Sequence, residues 1–548
     1  MTQPAAPASN SRNSTLALAC VGVGLCVAAG LWLRAHDLWR PPFYAFDEHH
    51  FVDNARVYLQ GSQLQNRELA GLVDGNDHPP LGKLWIALGM RLFGDSGLGW
   101  RIMPAAFGAA SVLWAALLAR RLFPGTPAWC FALVFVSLDG FAIAYSRVAL
   151  LDGMLTSLLL LCFWLLLGTN RASLAAAAVV GGLALAIKFS GICYLGPLAG
   201  ALLLRSGSGR LRWLLIAPAL SLLVYYACYA LGLWLLGAPS GPASVWQHTL
   251  ELIRHHAGLI DMQNPATSSW PTWFIPTRPL LLWRMVEGSS LRLVTSRGNP
   301  LLWWFCSASV LGLSGTLLWR GLGPVLRDAR FRLWAIELPA RSLVFALLCY
   351  WSLMAPWILT RRDSYLYHYL PAYLVAVVLV SGLFGALYQR RRRWALALAL
   401  AVVLVSAGYA PRWAGLPLRA AHSSGSAGPA RVPRAICSAL QDLREPQRAP
   451  YRVQRQRRAI GNLSRIRRPA QLLPQHPRHG QHLSEQRGGA APHGRAHLPA
   501  ASLEPTEQRI DLVGRHPQRA ERLRHVIQRD GLPAALQQRA SDVQQLGP

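Results

Sequence analysis

Residues 15–33 read TLALACVGVGLCVAAGLWL: nineteen positions without a charge, with Trp32 near the end and Arg34 and Trp39 following. A run of roughly 17–25 apolar residues is what a helix needs to cross a bilayer core. No small-residue cleavage pattern closes it, so it reads as a retained anchor rather than a removable leader. Runs of the same kind recur down the chain, at Ile102–Leu118, Ala128–Tyr145, Val148–Gly168, Ser173–Ala186, Ser190–Leu204, Trp213–Leu236, Leu301–Leu318, Ser342–Leu359, Leu366–Tyr388 and Trp394–Tyr409. With the first run they predict about eleven membrane crossings and an all-α, polytopic membrane fold. Composition agrees, because the 548 residues are 52% hydrophobic and only 15% charged, a balance that a soluble domain does not need.

The formal charge of +30 raises the question of nucleic acid, but the positive residues do not gather on one soluble face. Part of them form short clusters between apolar runs: Arg120-Arg121, Arg205 to Arg212, Arg320 to Arg332 and Arg390 to Arg393. With the N-terminus cytoplasmic, all four clusters lie inside, as the bias of Arg and Lys toward cytoplasmic loops requires. No nucleic-acid partner is expected. The outer side then carries the loop 34–101, the Ser146-Arg147 turn, the long loop 237–300 and Thr360–Tyr365. Within the first loop, Asp53–Gln60 suits a short surface helix, and Leu81–Phe93 is apolar enough to lie in the interface.

The remaining positive charge sits in a tail. From Ala420 to Pro548 the chain is rich in Arg, Gln, His and Pro, has no Lys and shows no helical period. The expected organisation is therefore an N-terminal tail 1–14, a membrane domain 15–411 and an Arg-rich tail 412–548. A disordered basic tail is one reading. Out-of-frame translation of a GC-rich gene fits better, because membrane-like text stops abruptly and no partner motif replaces it. The nine cysteines carry no CxxC spacing, and all but Cys437 fall in apolar stretches, where free cysteine acts as a small hydrophobe.

Charges at the edges of apolar runs are expensive and therefore informative. Asp139, Arg147, Asp152 and Lys188 all fall near outer ends, and Arg361-Arg362 lie outside against the usual bias. Lys83 and Lys188 are the chain's only lysines, so at both a compact ammonium is wanted, or else a snorkelling stem. Phe46-Asp47-Glu48-His49-His50 sets two carboxylates beside two imidazoles. Adjacent residues face different ways, so one carboxylate should act while the other binds or orients. A solvated loop cluster is the plainer alternative. A metal is not expected, because no helical HExxH spacing accompanies the cluster.

Six patterns in order carry a family resemblance: Phe46-Asp47-Glu48; His78-Pro79-Pro80-Leu81-Gly82-Lys83; Gly99-Trp100-Arg101; Ser146-Arg147-Val148-Ala149-Leu150-Leu151-Asp152; Lys188-Phe189-Ser190-Gly191; and Tyr367-His368-Tyr369-Leu370-Pro371. Over roughly residues 31–418 the chain resembles the protein O-mannosyltransferases. The resemblance implies a GT-C membrane fold that takes a sugar, usually mannose, from a polyprenyl phosphate to Ser or Thr hydroxyls of exported polypeptides. It places the catalytic acidic pair at Asp47 and Glu48, on the periplasmic side of a bacterial inner membrane. The loop 237–300 is too short for the β-trefoil of eukaryotic members, so the chain looks like a bacterial relative. No cofactor is implied beyond the donor, and a dimer is a candidate assembly.

The chemistry asks for the same residue types independently. Departure of a polyprenyl phosphate builds negative charge, which fixed cations stabilise selectively; Arg101, Arg147, Lys188, Arg361 and Arg362 are the candidates, with Asp152 holding one of them. Asp47 is the candidate base for the attacking hydroxyl, with Glu48 aiding it. His368 is a donor-side candidate or part of an interfacial aromatic belt. His78, Pro79, Pro80 and Lys83 shape an acceptor groove or form a rigid structural turn. Competing functions are transfer to a lipid or glycan acceptor, a transporter, for which no repeat symmetry is visible, and an inactive partner subunit. If the tail is out of frame, another frame of the coding DNA carries apolar, membrane-like text beyond codon 419; its absence there contradicts the frame reading.

Overall fold

The structure, a computed structural model, describes residues 8–61, 77–205, 209–259, 266–275, 279–288, 290–333 and 336–419. Its helices, in chain order, are α1 (Ala8–Ala35), α2 (Glu48–Gln60), α3 (Leu81–Phe93), α4 (Gly97–Leu122), α5 (Ala128–Ser137), α6 (Gly140–Ser146), α7 (Leu151–Leu166), α8 (Arg171–Ile187), α9 (Leu195–Leu203), α10 (Trp213–Leu235) and α11 (Pro242–Ala257). The series closes with α12 (Pro300–Arg320), α13 (Leu322–Arg327), α14 (Ala340–Leu359), α15 (Leu370–Arg390) and α16 (Arg392–Ala414). Five short strands, β1 (Leu281–Glu287), β2 (Ser290–Thr295), β3 (Arg330–Leu333), β4 (Ile336–Pro339) and β5 (Leu418–Arg419), form two small antiparallel sheets.

The bundle is organised around α15. Pro371 starts this helix, where a missing N–H costs nothing, and the apolar run behind it is buried nearly all round. It touches α4, α5, α7, α12, α14 and α16. Gly382 and Gly385 let the chain approach closely, because a methyl group at either would collide with the Phe123 ring or the backbone at Ala128. Close approach through small residues is how helices associate where lipid removes the usual hydrophobic drive.

The run Ala128–Tyr145, expected as one crossing, is broken into α5 and α6 with a bend of 56°. A break inside the apolar layer exposes backbone groups that must be satisfied internally. Two charged side chains do this. Arg34, on α1, donates to the carbonyls of Val136 and Ser137 at 2.7 Å each, closing the end of α5. Asp139 caps α6 by accepting from the Ala142 N–H at 2.9 Å and from the Tyr373 hydroxyl at 2.8 Å. Both are fully buried, and their opposite charges oppose each other's desolvation. Asp139 is thus structural.

Other boundaries differ from expectation. Ser190–Leu204 is a 3₁₀ turn, Phe189–Tyr194, leading into α9; Gly191 lies hard against the Ala184 backbone, a contact that no larger residue allows. The long loop contains α11 and the β1–β2 hairpin, and the two small sheets are minor additions to the expected helical fold. Domain 15–411 extends further: α16 ends at Gly415, whose φ of +67° suits glycine, and Leu418 and Arg419 then pair with β2. The tail beyond 419 lies outside the described residues. Among the described residues six helices are long and apolar enough to cross a membrane, or seven counting the bent pair, with four shorter apolar helices besides; the expected eleven crossings are not established by length alone. The chain is a multi-pass membrane protein.

Replacing Arg34 by Met leaves two helix-end carbonyls without a donor and the buried Asp139 without its nearby opposite charge. The expected loss is about 2–4 kcal/mol, read as a lower thermal midpoint of the detergent-solubilised protein, while Arg120→Met at the surface shifts it little.

Candidate active site

The loop from α1 to α2 is wound around one guanidinium. Arg101, on α4, donates through Nη1 to the carbonyls of Leu38 and Pro41 at 3.0 Å each, and through Nη2 to that of Phe43 at 3.1 Å. Its Nε and Nη2 reach the Glu48 carboxylate at 2.7 and 2.6 Å. Glu48 also accepts the main-chain N–H groups of Ala45 and Ala149, each at 2.7 Å. Glu48 and Arg101 are both 0% exposed. The carboxylate is saturated, and two-point binding suits a planar guanidinium.

This departs from the expected roles of Glu48 and Arg101 at the reacting centre. With every hydrogen-bonding position engaged by protein, neither has capacity left for a substrate. Arg147 is also turned to the backbone: it is buried, and its Nη1 donates to the Leu33 carbonyl at 2.7 Å and more weakly to that of Arg34, closing the end of α1, while its Nε has no partner in the protein. In the His78–Lys83 stretch, Pro79, Pro80 and Lys83 are buried. Pro80 packs against Gly232 of α10, and the Lys83 ammonium turns back onto the His78 carbonyl. A buried ammonium requires such an acceptor, so this stretch forms a closed turn rather than an open groove, and only His78 keeps an unused ring nitrogen.

Asp47 is different. It precedes the first turn of α2, makes no capping bond there, and is only partly buried. Phe46 before it has φ +49°, a left-handed conformation uncommon for a bulky residue; the anchored Ala45 and Glu48 on either side impose it. Burial raises the Asp47 carboxyl above its ordinary range, opposed by His50, His49 and Lys188, with Asp152 adding to the rise. Asp47 therefore lies within electrostatic range of the Asp152–Lys188 pair.

That pair comes from two helix ends. Asp152 is in the first turn of α7 and Lys188 caps α8, and their charged atoms are 2.9 and 3.0 Å apart. The Lys188 ammonium also lies 5.0 Å from the Tyr367 ring centre, a cation over an aromatic face. Arg362 stands within electrostatic range of Asp152 and Lys188, half-buried, with its Nε unpartnered. Arg361 beside it is exposed. His368 stacks on Trp357 at 3.9 Å and accepts the Tyr365 N–H through Nδ1 at 3.0 Å, which fixes its ring near the same cations. Phe46 meets Tyr367 edge to face at 6.2 Å.

The structure thus brings together Asp47, Asp152, Lys188, Arg362, His368 and His78, and sets Glu48, Arg101 and Arg147 behind them as supports. Sequence reasoning did not single out Tyr367, Asp77 or His256. Tyr367 stood inside a quoted motif; Asp77 and His256 had only the signal of polar residues beside an apolar helix. Among the described residues no group of three His, Cys, Asp or Glu side chains could hold a metal ion.

A partly buried carboxylate facing fixed cations at one end of a helical membrane bundle is the equipment of a membrane-embedded group transferase. Residues 77–234 match the family described as dolichyl-phosphate-mannose-protein mannosyltransferase, and residues 243–418 match the C-terminal four-transmembrane region of protein-O-mannosyltransferase. The polyprenol-phosphate-mannose–protein mannosyltransferase of Mycobacterium tuberculosis is 27% identical, over 52% of this chain and 67% of that one. An undecaprenyl phosphate-α-4-amino-4-deoxy-L-arabinose arabinosyl transferase of Pseudomonas aeruginosa is 32% identical, over 51% of this chain and 50% of its own length. In fold, the chain superposes on the S. cerevisiae protein O-mannosyltransferase complex bound to its sugar donor with a TM-score of 0.58, at 13% identity, over 73% of this chain and 90% of that one. The protein is a GT-C glycosyltransferase, and it belongs to the protein O-mannosyltransferase family.

Two outcomes distinguish the neighbouring carboxylates. Glu48→Gln strips half of a buried ion pair and costs about 3 kcal/mol or more of stability, seen as a lower thermal midpoint that Arg101→Lys does not restore. Asp47→Asn has the opposite sign. A carboxyl raised above 3.8 in the fold binds its proton more tightly folded than unfolded, so its contribution to stability falls as pH rises through that window. At neutral pH the ionised form is a burden that Asn removes, and the variant melts no lower than the parent while losing activity.

Proposed function

We propose that this protein transfers a mannosyl group from a polyprenyl-phosphate sugar to Ser or Thr hydroxyls of exported polypeptides, on the extracytoplasmic face of a bacterial inner membrane. The observation that carries the reading is a partly buried Asp47 within electrostatic range of the Asp152–Lys188 pair, which Arg362 in turn neighbours.

The donor phosphate lies against Lys188 and Arg362. As the bond between the anomeric carbon and the phosphate oxygen breaks, its electron pair passes to the phosphate, and the two cations hold the growing charge. The acceptor oxygen forms the new bond to the anomeric carbon from the opposite side and gives its proton to Asp47. One displacement inverts the anomeric centre. Asp152 keeps the Lys188 ammonium charged and aimed, since burial alone works against the charge. Because the phosphate departs as a stabilised anion, the scheme needs no metal or other cofactor.

Transfer to a lipid or glycan is the second reading, favoured by the similarity to the arabinosyl transferase. The acceptor separates the two. Membranes containing the protein, given polyprenyl-phosphate mannose and a Ser/Thr-rich peptide, are expected to glycosylate the peptide. Asp47→Asn is expected to lower that rate by about 100-fold or more, the usual weight of a positioned base. Label appearing in lipid alone supports the second reading, and equal rates with Asn remove Asp47 as the base. On acidification the parent's rate falls at a pH above the ordinary aspartate range, following the raised Asp47 carboxyl.

A further inference from the structure

Two imidazoles within electrostatic range of Lys188 and Arg362 have no task in the scheme above. His78 opens the turn before α3, and His256 ends α11, the helix of the long loop. Their rings are 5.1 Å apart, centre to centre. His78 is also stacked on Phe51 at 5.9 Å, and His256 meets Phe189 edge to face at 5.8 Å, so both rings are held by aromatic neighbours from other segments. His78 is only 7% exposed.

The Nδ1 atoms of both rings are buried, and neither has a hydrogen-bond partner in the protein. Leaving such an atom unmatched in the interior is costly, and two side by side point to a shared purpose. The His256 ring donates to the Asp77 main chain, which leaves Nδ1 as the lone-pair nitrogen, an acceptor for a hydroxyl. Both rings feel Lys188 and Arg362, and His78 feels Lys83 as well. Asp77, paired with His255 at 3.1 Å, is the facing acid. Burial and these cations push both imidazoles down, His256 to about 3, so they remain uncharged at neutral pH.

Resting on the transferase reading, we propose that His256 and His78 form a pair of neutral imidazoles that binds hydroxyl groups of the transferred sugar. Lys188 and Arg362, the cations assigned to the phosphate, act electrostatically on both rings, and the sugar is joined to that phosphate through a single oxygen. A sugar offers neutral donors and acceptors at the spacing of a ring, which suits uncharged imidazoles with free lone pairs. Anions gain nothing there, because a neutral acceptor nitrogen repels them. Sites built to hydrogen-bond a hydroxyl discriminate strongly against ligands that lack it, since their buried polar atoms are then left unmatched.

The test uses the full chain in detergent micelles and compares binding of polyprenyl-phosphate mannose with binding of polyprenyl phosphate alone, so that it does not depend on turnover. The parent is expected to favour the sugar-bearing lipid by roughly tenfold or more, the worth of one or two hydrogen bonds. His256→Leu is expected to erase that margin while leaving the affinity for polyprenyl phosphate unchanged, and His256→Asn, which keeps a polar atom near the Nδ1 position, to restore part of it. A margin that survives His256→Leu, a parent without one, or an equal loss for both lipids overturns the inference, the last by revealing a purely structural role. If the margin behaves as expected and no peptide is ever glycosylated, the imidazole pair stands and the transfer to protein falls.

Discussion

The Glu48–Arg101 pair is the constraint on which the site depends. Two charges at zero exposure are costly to bury, and only complete mutual and main-chain satisfaction offsets that cost. Here the satisfaction is complete, and it does geometric work. Arg101 gathers three carbonyls of the loop before α2, while Glu48 reaches across to the main chain of Ala149, at the entry to α7. The loop bearing Asp47 is thereby fixed to the segment bearing Asp152. The carboxylate so occupied has no lone pair left to offer, whereas its neighbour Asp47 makes no capping bond to the helix it precedes.

Two further arginines act on the same principle. Arg34 closes the end of α5 and Arg147 closes the end of α1, so that a broken helix and the first helix brace one another. In an apolar medium a helix end without partners is expensive, and guanidinium groups with several donors resolve it economically. Charges that look like catalytic equipment in the sequence are in large part the means by which irregular backbone is tolerated beside the cleft.

This explains what the sequence disclosed and what it withheld. The helical membrane class was legible because apolar length is a local property, and the apolar stretch Leu81–Phe93 coincides with a helix to the residue. The break at Leu138–Asp139 was not, since the apolar text runs through it and only the distant Arg34 and Tyr373 stabilise it. The strand β5 was lost in the Arg-rich composition that follows, because its pairing partner β2 lies more than a hundred residues away. At the site, residue types gave a list of cations and carboxylates. Dividing that list into Lys188 and Arg362 at the cleft, and Arg101 and Arg147 behind it, required hydrogen-bond partners that pattern does not contain. His256 was invisible for the same reason: its significance lies in an unmatched nitrogen.

The central claim is that Asp47 and the Lys188–Arg362 cations face the two ends of the bond that breaks. A cryo-EM structure of the protein with bound polyprenyl-phosphate mannose tests it directly. The account predicts the phosphate within hydrogen-bond reach of Lys188 and Arg362, with Asp47 on the opposite side of the anomeric carbon. A phosphate held instead by Arg101 or Arg147, or an anomeric carbon remote from Asp47, contradicts it.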